Sequence, residues 1–138
     1  GQSAKPLAKI ASGGELSRIS LAIQVVIATT SITPSLIFDE VDVGIGGATA
    51  EIVGRLLSQL GQHCQLLCIT HLPQVASQAQ HHLQVSKSDN GKATQTQVSA
   101  LDEDQRIQEI ARMLGGVKLT QQTLAHAKEM LGTGALLH

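Results

Sequence analysis

The chain has 138 residues, of which 42% are hydrophobic and 15% are charged, and its formal net charge is -1. This composition predicts one globular domain with a core of Leu, Ile, Val and Ala, and it argues against a disordered segment. One Phe and no Trp or Tyr leave almost no aromatic surface for stacking bases, and no basic run is long enough to grip a phosphate backbone. Direct nucleic-acid binding by this chain alone is therefore not expected. No apolar stretch reaches the length of about 18 residues that a membrane span needs.

The chain opens with a polar stretch, residues 1–11, and has no initiating Met, so we expect a linker and a fragment of a longer protein. The motif Ser12-Gly13-Gly14-Glu15 follows, and apolar side chains at helical spacing then predict a helix over residues 15–29. Ser followed three residues later by Glu is a capping box. The same residues also suit an anion site, because glycines let a ligand approach the free N–H groups at a helix start.

The next elements are predicted in the order strand, helix and strand, at residues 35–39, 48–60 and 65–70. This order is typical of a βαβ unit with parallel strands, whose ligand sites lie beyond the carboxyl ends of the strands. Asp39 and Glu40 fall at the end of the first strand, and Thr70 and His71 fall at the end of the second. The sequence thus predicts that these polar residues share one edge of the sheet.

The C-terminal half is predicted to contain a short helix, a hairpin and two further helices, at residues 73–80, 83–87 with 94–101, 102–114 and 120–131. Asn90-Gly91 between two alternating runs is a strong hairpin signal. Gly115 and Gly116 are expected to end the first of the two last helices, and Gly132 to end the second.

An apolar strand that ends in Asp-Glu is the Walker B arrangement. In that arrangement Asp39 would hold magnesium, usually through water, and Glu40 would act as the general base for the attacking water. The simpler interpretation is that these acids only solvate a loop after a buried strand. The role of Asp42, two residues further on, is left open.

His71 has two interpretations as well: a structural hydrogen-bonding residue, or a residue that reaches a terminal phosphate and senses it. A zinc site formed by Cys64 and Cys68 with His63 and His71 is disfavoured. In a strand, four residues separate the two sulfurs by about 13 Å, which is too far for two ligands that each lie about 2.3 Å from one zinc ion. Buried, reduced thiols in a cytoplasmic protein are the expected state.

Three motifs occur in one order along the chain, SGGE, LIFDE and ITH. Together they resemble the signature motif, Walker B motif and switch histidine of the SMC-like kind of ABC-type ATPase. The longer strings KIASGGELSRISLAIQ, IFDEVDVGIGG, and ITHLPQVAS with ARMLGG resemble a bacterial DNA-repair group within that superfamily, over nearly the whole chain. ABC heads usually carry an Asp six residues after the catalytic Glu, and Gly46 stands there in this chain. Asp42 is a nearby candidate for the contact between subunits that this Asp usually makes.

The resemblance implies an α/β fold, the C-terminal lobe of an ABC/SMC-type P-loop ATPase head. Its parallel strands have crossover helices, followed by a β-hairpin and C-terminal helices. Such a head is assembled from the two ends of a long protein with a coiled coil between them, and two heads sandwich ATP. The implied partners are the N-terminal Walker A half, a second copy of the head, and DNA through the complete protein, with no membrane. Hydrolysis is coupled to DNA double-strand break repair and recombination, in a bacterial, cytoplasmic and nucleoid-associated protein.

The resemblance also implies roles for single residues, with ATP and magnesium as cofactors. Those that would touch ATP bound to the partner head are Ser12, Gly13, Gly14 and Glu15. Those that would act on ATP in the same head are Asp39 as the magnesium ligand, Glu40 and His71. No G-x-x-x-x-G-K-[ST] loop occurs in these 138 residues, so we expect turnover only when the N-terminal half is supplied.

The expected organisation is a single lobe over residues 1–138, with a linker at 1–11, the motif core at 12–81, and the hairpin and terminal helices at 82–138. Three other classes of function are considered. A nuclease would place Asp39, Glu40 and Asp42 around two metals. A non-catalytic module would pair heads or bind a repair partner when isolated from the Walker A half. A transporter ATPase is disfavoured because Val41-Asp42 stands where Pro-Thr is typical.

Overall fold

The structure is a computed structural model, and the residues it describes are 22, 26, 35–39, 42–89, 94–115 and 119–135. The Ser12–Glu15 motif and Glu40 lie outside the described residues, as do the linker and most of the first predicted helix. Ala22 and Val26, within that helix, are both helical. The chain divides into two compact units, Gly1–Leu72 and Pro73–His138. The predicted boundaries within a single lobe stay a prediction.

The first unit contains the strand-helix-strand arrangement that the sequence predicts. Its described elements are strand β1 (Ser35–Phe38), helix α1 (Gly47–Leu60) and strand β2 (Gln65–Cys68). The two strands pair in parallel, in a register that runs from Ser35 opposite Gln65 to Phe38 opposite Cys68. Because parallel neighbours need a crossover, α1 serves as that connection. The predicted βαβ unit is confirmed.

The two faces of the β1–β2 sheet differ in exposure. Successive side chains along a strand point to opposite faces. Phe38 is buried, whereas Ile37 is 71% exposed and its register partner Leu67 is 46% exposed. Ile69, just beyond β2 on the same alternation, is 52% exposed. One face of this parallel sheet therefore presents apolar side chains to solvent, although parallel sheets are normally covered on both faces.

The described part of the second unit contains three helices and two strands. These are helix α2 (Pro73–Ala76), strands β3 (Leu83–Asp89) and β4 (Thr94–Ala100), and helices α3 (Glu103–Gly115) and α4 (Gln121–Ala135). Strands β3 and β4 pair antiparallel from Leu83 opposite Ala100 to Asp89 opposite Thr94. The predicted hairpin is confirmed, and its turn at residues 90–93 lies outside the described residues.

The starts of α3 and α4 follow from local capping. At α3, the N–H of Gln105 donates to Asp102 Oδ1 at 2.8 Å, and the N–H of Asp102 donates to Gln105 Oε1 at 3.0 Å. At α4, Thr120 and Thr123 exchange the same pair of bonds at 3.1 and 3.0 Å. Each capping box satisfies two backbone donors that a helix start would otherwise leave unpaired.

The core of the second unit lies between α2, α3 and α4. Its buried members are Ala76, Ile110, Ala111 and Ala127, surrounded by partly buried Leu, Ile and Met side chains. Gly115 lets α3 and α4 approach, because a Cβ there would lie 2.8 Å from Thr123 Cγ2. Within the described residues, no helix combines the length and apolar character that crossing a membrane requires.

Arg106 on α3 ties down the segment that follows α2. Its guanidinium donates to the backbone carbonyl oxygens of Gln80 and Ser77, both at 3.3 Å, and to that of Ala79. Ala76 O lies 3.5 Å away. A helix end leaves its last carbonyls without partners inside the helix. Arg106 supplies donors to carbonyls at and just beyond the end of α2.

Two predicted helix boundaries are wrong. Helix α2 ends at Ala76 rather than at residue 80, because the chain turns through hydrogen bonds such as Gln78 N–H to Val75 O, at 3.2 Å. Helix α4 continues through Gly132 to Ala135. A glycine inside a helix costs about 1 kcal/mol relative to Ala and does not by itself end the helix. It ends one when it adopts positive φ, and among the described glycines only Gly44 and Gly47 have positive φ.

Candidate functional site

The candidate site begins where β1 and β2 end. Phe38 is paired with Cys68, and the N–H of Ile69 donates to Phe38 O at 2.8 Å. The pairing therefore continues one residue beyond β2, to Ile69. Asp39, exposed, follows β1 directly at the same edge where Thr70 and His71 follow β2. The predicted juxtaposition of the two strand ends is present, while Glu40 lies outside the described residues.

A glycine-containing turn leads from this edge into α1. The N–H of Ile45 donates to Asp42 O at 3.2 Å, and Gly44 has φ 73°. Gly47, the first residue of α1, has φ 53°, which an L side chain would occupy only with strain. Gly46 differs from both, because its φ of -169° is ordinary extended backbone and a Cβ there would meet nothing within 4 Å. The backbone therefore leaves room for a side chain at the position where ABC heads usually carry Asp.

Asp42 is the central buried polar group of the site, with only 3% of its surface exposed. Two hydrogen-bond donors and one ring nitrogen in ion-pair distance meet at one carboxylate oxygen, Oδ2. The hydroxyl of Thr70 donates at 2.5 Å, the backbone N–H of His71 at 2.7 Å, and His71 Nδ1 lies at 3.0 Å. The loop after β1 is thereby joined to the end of β2 through a single side chain.

The electrostatics of the site follow from these bonds. Burial alone would raise the pKa of Asp42, but the hydrogen bonds from Thr70 and from the His71 N–H, with the charge of His71, outweigh it, and the pKa is lowered. Asp42 is therefore a carboxylate at neutral pH. Burial, and to a lesser degree the charge of Asp42, raises the pKa of the Cys68 thiol to about 11. Cys68 is thus a protonated thiol rather than a reactive thiolate.

The residues at this edge suit a magnesium ion held mainly by water and phosphate. Asp39 offers one exposed carboxylate, and magnesium usually takes one or two protein carboxylates together with substrate phosphates and waters. In the part of the chain that the structure describes, no group of three or more His, Cys, Asp and Glu side chains is placed to hold a metal. Asp42 is buried and its Oδ2 is fully engaged, which argues against the nuclease alternative, where Asp42 would face a second metal.

Sequence reasoning identified this edge but missed how its residues are connected. It left the role of Asp42 open and assigned no role to Thr70. The available signal was the register: two parallel strands that end in Asp39 and Thr70 bring the residues just after them together. The position of Asp42, three residues after the first of these, was within reach of that argument.

Known proteins resemble this chain in fold and in sequence. No family model matches the chain. A solved structure from work on the ATP-driven dimerization and DNA-stimulated activation of SMC ATPases has a similar fold, with a TM-score of 0.67 at 21% identity over 86% of this chain and 70% of that chain. The predicted fold class, that of an SMC-type ATPase head, is confirmed.

Relatives identified by sequence are more specific. The chain is 60% identical over 131 residues to the DNA repair protein RecN of Vibrio cholerae and 56% identical to that of Haemophilus influenzae, in each case over 95% of this chain. It is 48% identical over 135 residues to RecN of Treponema pallidum. The narrower resemblance is thereby confirmed: nearly all of the chain corresponds to a segment of RecN. That segment spans about a quarter, 24%, of the length of these relatives.

Proposed function

We propose that the chain is the C-terminal half of an SMC-like ATPase head that hydrolyses ATP between two paired heads. In the complete protein this activity is coupled to DNA double-strand break repair and recombination. The observation that carries the proposal is the meeting of the two strand ends, which brings Asp39 and His71 to one edge. The sequence identity to RecN supports the connection to DNA repair.

The residues divide the chemistry of ATP hydrolysis among them. Glu40 accepts a proton from water as the water oxygen attacks the terminal phosphorus. The bond from that phosphorus to the bridging oxygen breaks, and ADP and inorganic phosphate are released. Asp39 would hold magnesium through water, and when bound the ion neutralises charge on the phosphate oxygens. His71, at the end of the neighbouring strand, contacts the terminal phosphate.

The N-terminal residues of the motif complete the site from the opposite head. Ser12, Gly13, Gly14 and Glu15 would contact ATP that is bound to the partner head, through backbone N–H groups at a helix start. The Walker A loop would come from the N-terminal half of the protein. ATP turnover therefore needs both halves and two heads, and we expect the isolated chain to be inactive, in a bacterial cytoplasmic protein that associates with the nucleoid.

The exposed apolar face of the first unit supports the proposal that another part of the protein covers it. An apolar strip on the parallel sheet is formed by Ile37, Leu67 and Ile69. Among the described residues this sheet has two strands, and a sheet of that size is marginally stable without further strands or a covering layer. The N-terminal half is proposed to cover it. The same strip favours one alternative function: as an isolated piece, the chain would act as a non-catalytic module that pairs heads.

The test of the ATPase proposal is Glu40→Gln in the full-length protein. We expect ATP binding to persist, phosphate release to stop, and paired heads to accumulate in size-exclusion chromatography with ATP. Glu51→Gln is the matched control, because Glu51 is exposed on α1 and pairs only with Arg55 on the surface. Normal turnover by the Glu40 variant would exclude Glu40 as the base. Magnesium-dependent turnover by the chain alone would contradict the two-half requirement, and self-association of the chain without nucleotide would favour the module.

A further inference from the structure

The three groups that meet at Asp42 Oδ2 hold different parts of the chain in place. Two of them, the Thr70 hydroxyl and the His71 N–H, hold the backbone at the end of β2. The third, His71 Nδ1 at 3.0 Å, holds the imidazole ring. Asp42 thus fixes both where His71 starts and which way its side chain turns. A buried carboxylate that did no more than satisfy a loop would not need to bind the ring.

The orientation of Thr70 is also determined. Its Oγ1 accepts a hydrogen bond from the N–H of Leu72 at 3.0 Å. A backbone N–H can only donate and a carboxylate can only accept, so the single hydroxyl proton of Thr70 must point to Asp42. Thr70 therefore links Asp42 to the backbone of Leu72, the residue after His71. The histidine is fixed from its ring, from its own N–H, and from both neighbours along the chain.

The ring of His71 has one nitrogen left for a ligand. Because Asp42 Oδ2 only accepts, Nδ1 must carry a proton and is occupied by this bond. The side chain of His71 is nevertheless 75% exposed, whereas that of Asp42 is 3% exposed. Nε2 is thus the ring nitrogen available to a ligand at this edge. This is an arrangement by which a carboxylate orients a functional histidine. In the imidazolium form Nε2 also carries a proton, which it can donate to a phosphate oxygen.

We propose that Asp42 is a positioning residue for His71, which directs Nε2 toward the terminal phosphate of ATP, and that Thr70 is its accessory. The proposal rests on the proposed ATPase function. It gives Asp42 a role within its own head, instead of the contact between subunits for which the sequence made it a candidate. With 3% of its surface exposed and Oδ2 already bound, Asp42 has little surface to offer a second subunit.

The test uses steady-state ATP hydrolysis by the full-length protein. For Asp42→Asn we expect kcat to fall about 10- to 100-fold, the usual cost of losing an orienting partner of a functional side chain, with little change in KM for ATP. Thr70→Val, which removes the hydroxyl at nearly constant shape, should lower kcat in the same sense. Thr70→Ser, which keeps the hydroxyl, should restore it.

The decisive measurement is a double-mutant cycle with His71→Ala. If Asp42 acts through His71, Asp42→Asn in the His71→Ala background should cause no further loss of kcat, because residues that act as a unit are not additive. An equal fold loss in both backgrounds would overturn the proposal, as would wild-type kcat for Asp42→Asn. Should Asp42→Asn fail to fold, the Thr70→Val and Thr70→Ser pair carries the same cycle.

The two levels of proposal fail in different ways. No ATP hydrolysis by the wild-type full-length protein would overturn the ATPase function and the positioning role together. Stalled turnover by Glu40→Gln and a reduced kcat for His71→Ala, combined with additive losses from Asp42→Asn, overturns the positioning role alone.

Discussion

Arg106 offers the sharpest test of how the second unit is held together. Its guanidinium reaches four backbone carbonyls in the segment 76–80, two of them at 3.3 Å. We predict that Arg106→Met, which keeps the apolar stem and removes the donors, will loosen this segment. Arg106→Lys should give a smaller effect, because an ammonium group is one point charge and lacks the fork that serves several acceptors.

The magnitude follows from the contacts. A hydrogen bond from a charged donor contributes about 1.5–3 kcal/mol, but three reductions apply here. The bond to Ala76 is long at 3.5 Å, Ala79 and Gln80 are exposed enough for water to replace the donor, and Arg106 Nε is buried with no partner among the described atoms. We therefore count about one strong bond, a loss of about 1.5–3 kcal/mol, and this loss corresponds to about 10- to 150-fold faster opening.

The assay is hydrogen exchange read by mass spectrometry on a peptide covering residues 73–80. Its protected amides include Ser77 N–H, bonded to Pro73 O at 2.9 Å. The matched control is Arg55→Met, since Arg55 pairs with Glu51 in an exposed bridge whose loss costs at most about 0.5 kcal/mol. Equal exchange of the peptide in both variants would refute the argument that Arg106 holds the turn.

Three further outcomes are expected. Burial and the charge of Arg106 lower the pKa of His82. The unfolded chain then binds a proton that the native state does not bind, so urea midpoints should fall as pH drops below about 6.5, and His82→Gln should flatten that slope. With its pKa raised to about 11 from 9.0, Cys68 should react with iodoacetamide at pH 8 about 100-fold more slowly than a free peptide thiol, and comparable rates would contradict its burial. Gly46→Asp should leave thermal stability unchanged or slightly higher, as an N-cap acid does, whereas Gly47→Asp, at φ 53°, should cost about 1 kcal/mol or more.

The elements that sequence predicts well here are those with a local cause. The alternating and helical apolar patterns gave β1, α1 and β2 within one or two residues. The starts of α3 and α4 were predictable because Asp102 and Thr120 cap them through residues only three positions away. The end of α4 was not predictable, because Gly132 carries the composition of a stop signal without the positive φ that would make it one.

The connections within the candidate site are not local, and the sequence could not supply them. Asp42 is separated from Thr70 by 28 residues, and nothing near Asp42 in the chain distinguishes a buried acid from a solvated one. Only the parallel register, which places the ends of β1 and β2 side by side, shows that Asp39 and the Thr70-His71 pair lie at one edge. Arg106 was missed for the same reason, since its acceptors lie 26 to 30 residues earlier.

The apolar strip on the β1–β2 sheet also bears on how such a chain behaves in a crowded cell. Among the described strands, β1 and β2 have each other as their only neighbours, and no described strand pairs with the outer edge of either, beside exposed Ile37 and Leu67. Such an edge is a template on which another extended chain can add. When the chain is produced without its covering partner, precipitation would compete with correct docking. The balance between the two would depend on the concentration of the chain. The timing of synthesis and the supply of holding chaperones would then decide its yield as much as its own folding energy.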